Sequence, residues 1–268
     1  MLRVSLGLLF LFISLQINAQ STIVLDSLRL DTLNTTEDNY FFTLPYDIAD
    51  ANSANRYYSD ANYHYQKGNL VYASTLMKSA IKKQPNRYNY HHLQAYILME
   101  LGDHKNAVRH AERAVALHPD DWKMLYCLAL TKYAAKDFLG ATIEYSRGIE
   151  IDPSAFLLYE GRAHAKAQMN DQLGALNDFN LTIMLKPTYV KAYYGRGMTN
   201  FKLNKYQEAL TDFNSVLLRE PENASALYYR GASRKMLGDV INACADFEKA
   251  ARLGMSVAAS ELKSNCSR

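Results

Sequence analysis

Between residues 54 and 255 the apolar positions follow a helical spacing, and the whole pattern recurs every 34 residues. Small residues stand at Ala61, Ala95, Ala129, Ala163, Gly197 and Gly231, and twelve residues further on at Ala73, Ala107, Ala141, Ala175, Ala209 and Ala243. Four residues beyond those come Met77, Ala111, Tyr145, Phe179, Phe213 and Phe247, all bulky or apolar. Pro85, Pro119, Pro153, Pro187 and Pro221 lie on the same lattice, with Met255 in the sixth slot. Turn-forming pairs interrupt each unit at Gly68-Asn69, Gly102-Asp103, Lys136-Asp137, Asn170-Asp171, Asn204-Lys205 and Gly238-Asp239. This order predicts two amphipathic helices per unit, the second ended by a proline whose ring cannot continue the hydrogen-bond ladder. The small residues let the two helices approach closely, and the bulky ones fill the seam to the next unit. Neither helix can bury its apolar stripe alone, so the units must stack.

The period and its marked positions resemble the tetratricopeptide repeat (TPR), most closely in Tyr193-Tyr194-Gly195-Arg196-Gly197 through Tyr206, Ala209, Phe213 and Pro221. The resemblance covers about residues 54 to 255 and implies an all-α, right-handed superhelical solenoid of six 34-residue helix-turn-helix repeats. The repeats are set at 54–87, 88–121, 122–155, 156–189, 190–223 and 224–255. Within 256–268, Val257, Ala258, Ala259 and Leu262 keep helical spacing and predict a capping helix followed by a short tail. The second repeat departs most, with His91 where an aromatic is usual and Ala111 in the bulky slot, so it is expected to be the loosest packed.

The first residues follow a different logic. Arg3 precedes an almost unbroken apolar run from Val4 to Leu15, and Ala19 offers a small residue before Gln20, so residues 1–19 read as a cleavable export signal. The run is shorter than the roughly 20 apolar residues that a membrane span needs, although an uncleaved anchor is the competing reading. No cysteine follows the cut, which argues against a lipid anchor. The Asn-Ala-Gln ending resembles signal peptides of the Bacteroidetes, implying an exported protein, periplasmic or secreted, that does not span a membrane once the signal is removed. Residues 20–53 are polar, lack the repeat signature and are expected to form a poorly ordered leader. Within it Phe41-Phe42-Thr43-Leu44 is either a short strand or a patch docked on the first repeat.

A formal charge of +3 over 268 residues gives no reason to expect nucleic acid as a partner. The sequence has no HExxH, no GxSxG, no phosphate-cradling glycine loop and no GxGxxG, so no catalytic residue, cofactor or metal ligand is assigned. Its seven histidines show no ligand spacing and read as surface and packing residues. Arg162 and Asp178, Arg196 and Asp212, and Arg230 and Asp246 are each sixteen apart, on the first and second helix of one unit. They read as braces between helices rather than as a ring of anion-binding arginines. Of the three cysteines, Cys127 lies in the third repeat and cannot reach the sixth. Cys244 on the last second helix and Cys266 on the cap can meet, and are the disulfide candidates.

The chain carries 20 tyrosines, and many of them fall on the face that TPR proteins generally use, the concave side lined by first helices. Tyr58, Tyr126 and Tyr194 recur there, followed seven residues later by Tyr65, Tyr133 and Phe201, with Tyr96 from the second repeat. Helical aromatic spacing usually means core, but the packing slots are already filled, so an exposed or half-exposed groove is expected. Lys123 and Lys191 flank the stripe. The full Lys/Asn/Arg set of the family's carboxylate clamp is absent, so binding of chaperone tails is not implied. The sequence therefore points to a non-catalytic interaction scaffold of the cell envelope that holds a protein or peptide in this groove. A glycan or peptidoglycan binding module and a docking subunit of a secretion or outer-membrane assembly are the alternatives.

Overall fold

A computed structural model of the chain describes residues 53–266. The export signal at 1–19, the leader from residue 20 to residue 52 and the last two residues of the tail lie outside the described residues. Ser53, assigned above to the leader, is the first residue of a helix. Thirteen helices and no strand occur among the described residues, the all-helical repeat fold that the sequence leads one to expect.

The described residues fall into two compact units divided after Lys136. The first contains α1 (Ser53–Gln66), α2 (Leu70–Lys83), α3 (Tyr88–Glu100), α4 (His104–Leu117) and α5 (Trp122–Ala134). In it α1 packs on α2, α3 on α4, and α2 and α4 against the first helices that follow them. The second contains α6 (Phe138–Ile151), α7 (Phe156–Gln168), α8 (Gln172–Leu185), α9 (Val190–Lys202), α10 (Tyr206–Arg219), α11 (Ala224–Met236), α12 (Val240–Arg252) and α13 (Ser256–Asn265). There α7–α8, α9–α10 and α11–α12 are tight pairs, and α13 closes the end against α12.

Local chemistry sets the helix ends. The last residues of α2, α4, α6, α8 and α10 each lie two positions before a lattice proline. At the end of α12, where that slot holds Met255, Gly254 takes over by turning left-handed at φ 92°. The turns inside the units place one residue each in the left-handed region, at Gly68, Gly102, Asn170, Asn204 and Gly238. Lys136 occupies the same slot at φ 64°, where a β-carbon is unfavourable. The next residue caps the following helix: the carboxylates of Asp103, Asp137, Asp171 and Asp239 accept from the backbone N–H of Asn106, Gly140, Gly174 and Asn242.

The small-residue lattice is fully buried, with Ala61, Ala73, Ala107, Ala163, Ala175 and Ala209 completely closed to solvent. The seams are filled by ring against glycine. A β-carbon on Gly161 would stand 2.3 Å from the Tyr145 ring, and one on Gly195 2.4 Å from the Phe179 ring. The second repeat is not loosely packed. Ala111 is completely buried, and the rings of His91 and His110 stack at 5.1 Å.

Candidate functional site

The arginine-aspartate series forms three two-pronged ion pairs. Arg162 donates from Nε and Nη2 to the Asp178 carboxylate at 2.9 and 2.7 Å. Arg196 meets Asp212 at 3.0 and 2.6 Å, and Arg230 meets Asp246 at 3.0 and 2.6 Å. The third nitrogen of each guanidinium reaches back sixteen residues to the preceding second helix, where Ser146, Asn180 and Asn214 accept at 3.0, 2.7 and 3.0 Å. A further donor one turn on, Lys166, Asn200 or Arg234, completes each carboxylate. Sequence reasoning found the pairs but missed their third partner, although Ser146, Asn180 and Asn214 lie on the 34-residue lattice. With every nitrogen engaged, these arginines brace helices and are poor ligands for a free anion. The aspartates are 2–5% exposed. At Asp212 burial outweighs the guanidinium, holding the carboxyl above its usual range.

The inner stripe divides by unit. Tyr65, Tyr96, Tyr126 and Tyr133 are 5%, 3%, 1% and 4% exposed, so the expectation of an exposed groove fails at these four positions. Each is held by neighbours: the Tyr65 hydroxyl donates to Glu100 at 2.6 Å, and the Tyr96 ring meets the His92 ring edge-on. Tyr58 is half-buried, stacks on Tyr90 at 5.2 Å, and has its hydroxyl pushed up to about 12 by burial, against a hydrogen bond from Asn89. Lys123 is half-buried at the head of α5.

In the second unit the stripe is more open. Tyr194, Met198 and Phe201 on α9 and Tyr228 on α11 are half-buried, with Lys191 beside them, and α9 lies between α7 and α11. Tyr194 leans edge-on against Phe213 at 5.9 Å and Phe201 against Tyr229 at 5.6 Å, so each ring is anchored on one side. Burial pushes the Tyr194 hydroxyl up, partly countered by Ser225. One turn of α7 carries a buried acid: Glu160 is completely closed to solvent and accepts from His164 at 3.1 Å. Anchored rings beside one cation form a surface suited to holding a chain segment by contact area rather than to bond chemistry. Among the described residues no cluster of three or more His, Cys, Asp or Glu is placed to hold a metal ion.

Cys244 and Cys266 are joined by a disulfide with a Cα–Cα distance of 5.7 Å, tying the end of α13 to α12. Cys127 is a free, fully buried thiol, which burial makes harder to ionise. No helix among the described residues is long and apolar enough to cross a membrane.

Stacked helical pairs, a glycine-ring seam and a half-open inner face define a helical-repeat scaffold. The chain carries tetratricopeptide repeats: profiles described as tetratricopeptide repeat match residues 92–156 and 190–223. Over 97 residues it is 29% identical to the outer dynein arm-docking complex subunit 4 of Xenopus laevis, a match spanning 36% of this chain and 18% of that protein. Among solved structures it resembles the Pseudomonas aeruginosa pilF protein, at 17% identity and TM-score 0.68, covering 79% of this chain and 96% of that one. A tetratricopeptide repeat protein from Parabacteroides merdae aligns over 94% of this chain and 98% of its own, at 19% identity and TM-score 0.64. YrrB, described as a TPR protein with an unusual peptide-binding site, aligns over 70% of this chain and 97% of its own, at 16% identity and TM-score 0.57. At these identities the structural likeness speaks for the fold alone.

Proposed function

We propose that this chain is a non-catalytic interaction scaffold of the cell envelope that holds a peptide or partner protein on the inner face of its second unit. The observation that carries the reading is the set of half-buried side chains Tyr194, Met198, Phe201 and Tyr228, anchored on one flank and open on the other beside Lys191. Rigid rings with polar tips give large contact area at small entropic cost. YrrB, with the same fold and a peptide-binding site, supports this use of the repeat. The apolar run before Ala19 supports export. The glycan reading has less support, because Asn55 accepts from Tyr90, Asn89 is bonded to Tyr58 and Glu160 is completely closed to solvent.

The test is selection of binders from a displayed random-peptide library on the immobilised chain, repeated with Tyr194→Ala and Lys191→Glu. Enriched peptides that lose affinity at least tenfold for both variants, with the helical melting transition retained, support the reading. Peptides that bind all three proteins equally contradict it.

A further inference from the structure

The three braces are not identical. In each, the Oδ2 oxygen of the aspartate takes one more donor from the residue four positions after the arginine. In the first brace that donor is the Lys166 ammonium at 2.7 Å, and in the third the Arg234 guanidinium at 2.6 Å. Asp178 and Asp246 therefore each meet two cations. In the middle brace the position holds Asn200, whose Nδ2 donates to Asp212 at 3.2 Å, so Arg196 is the one cation paired with Asp212 among the described residues. Four residues before each aspartate the lattice gives Gly174, Glu208 and Asn242, so the middle brace alone adds a carboxylate there. Burial holds the Asp212 carboxyl above its usual range, and Glu208 adds to the effect. Space differs as well as charge. The Arg234 side chain crosses to α12, where Nη1 also reaches the Asn242 carbonyl at 3.4 Å. The corresponding stretch of α10, from Glu208 to Asp212, lies beside the shorter Asn200, and a cleft of about 350 Å³ opens there between α8, α9 and α10.

We propose that this cleft binds the guanidinium group of an arginine ligand, held against Glu208 and Asp212 as Arg234 is held on α12. The chemistry matches the lining. A guanidinium presents five donors in a plane, and the cleft offers the Glu208 carboxylate, the Asp212 carboxylate and the Thr211 hydroxyl oxygen as acceptors, with Leu176 beside the ligand's apolar stem. Glu208 and Lys205 both line the cleft, and neither is engaged in an ion pair among the described residues. Lys205 opposes a bare cation and favours one that carries its own carboxylate. The ligand is therefore an arginine whose carboxylate is free, either the amino acid itself or the end of a peptide. Its bonds to Glu208 and Asp212 are charge-assisted, which an uncharged analogue of the same shape forfeits. None of these residues belongs to the inner face of Tyr194, Met198, Phe201 and Tyr228, so this site goes beyond the partner-binding reading and either can fail without the other.

The experiment follows backbone amide shifts of the isotope-labelled full chain on addition of N-acetyl-L-arginine to millimolar concentration. N-acetyl-L-citrulline, its neutral isostere, is the control. The arginine derivative should move the amides of Asn200, Glu208 and Thr211, and citrulline should bind at least tenfold more weakly. L-arginine separates the two sources: binding of both arginine compounds admits a peptide end, and binding of L-arginine alone assigns the free amino acid. Glu208→Gln, a change at an exposed side chain, should weaken binding at least tenfold with the melting transition unchanged. Asn200→Arg supplies the lattice guanidinium from within the chain and should abolish binding while raising the transition. If that variant does not fold, Glu208→Gln decides alone. Equal shifts from the arginine and citrulline compounds, no shift at these amides with either arginine compound, or full affinity in Glu208→Gln overturns the proposal.

Discussion

His91 and His110 face each other Nδ1 to Nδ1 at 2.9 Å, while His91 Nε2 lies 2.9 Å from the Pro85 carbonyl. A carbonyl only accepts, so His91 carries its proton on Nε2, and its Nδ1 accepts from the Nδ1–H of His110. This directional pair requires His91 to stay neutral.

The consequence is a pH dependence centred on the first unit. Burial lowers His91, and lowers His92 and His110 from 6.5 to about 4, with Lys123 adding to the effect at His92 and Arg109 and His91 at His110. The unfolded chain takes up protons at the ordinary value and the folded chain resists, so stability is full above about pH 6.5 and is lost as pH falls toward 4. His92 alone should contribute on the order of 3 kcal/mol to that loss. Urea unfolding followed from pH 7 to pH 4 should show the decline, and His92→Phe should flatten it. An unchanged slope in the variant would contradict the assignment.

The Arg196–Asp212 brace should behave as a buried pair rather than a surface one. Arg196→Ala strands a carboxylate that is 2% exposed and should cost about 3–5 kcal/mol. Arg196→Met with Asp212→Leu should recover most of that, because burial already outweighs the guanidinium at this aspartate. Chemical denaturation of the cycle checks this, and single variants costing under about 1 kcal/mol would show the pair to be effectively solvated.

Lys136 holds a left-handed backbone at φ 64° where the five corresponding turns use glycine or a glycine-like asparagine. Lys136→Gly should raise stability by roughly 0.5–1 kcal/mol, the relief at a β-carbon less the flexibility that glycine adds to the unfolded chain. Asn170→Gly should gain less, since asparagine tolerates the conformation. The measurement is the urea midpoint at constant slope.

The Cys244–Cys266 bond closes a span of 22 residues. Cys266→Ser should cost the end of the second unit roughly 3 kcal/mol. Thiol titration of the unreduced chain should find none while it is folded and one, Cys127, after denaturation. Two or three thiols from the denatured, unreduced chain would rule the bond out.

Much of this was legible in the sequence because the repeat is specified by local sterics. Pro153 stops α6, Gly102 and Gly238 turn the chain, and Arg162 finds Asp178 through a fixed sixteen-residue offset. What the sequence could not show depends on partners that no fixed spacing announces. Ala111 suggested loose packing, and nothing in the 34-residue lattice announces that His110 bonds to His91. Gly195 marks a close approach only once the Phe179 ring is seen to lie on it. Tyr126 and Tyr194 occupy equivalent lattice positions, yet one is 1% exposed and the other half-buried, and their ring neighbours differ, Trp122 for the first and Phe213 for the second.

The central claim is that the inner face of α9 and α11 is where a partner sits. Footprinting with a peptide selected on the folded chain tests it most directly, because the second helices also carry exposed apolar residues, Leu173, Leu218 and Ile241. Bound peptide should protect Tyr194, Met198 and Tyr228 while leaving Leu173, Leu218 and Ile241 as reactive as in the free chain. Protection of those three, with Tyr194 and Tyr228 unchanged, would move the binding surface to the opposite side of the repeats and contradict the account.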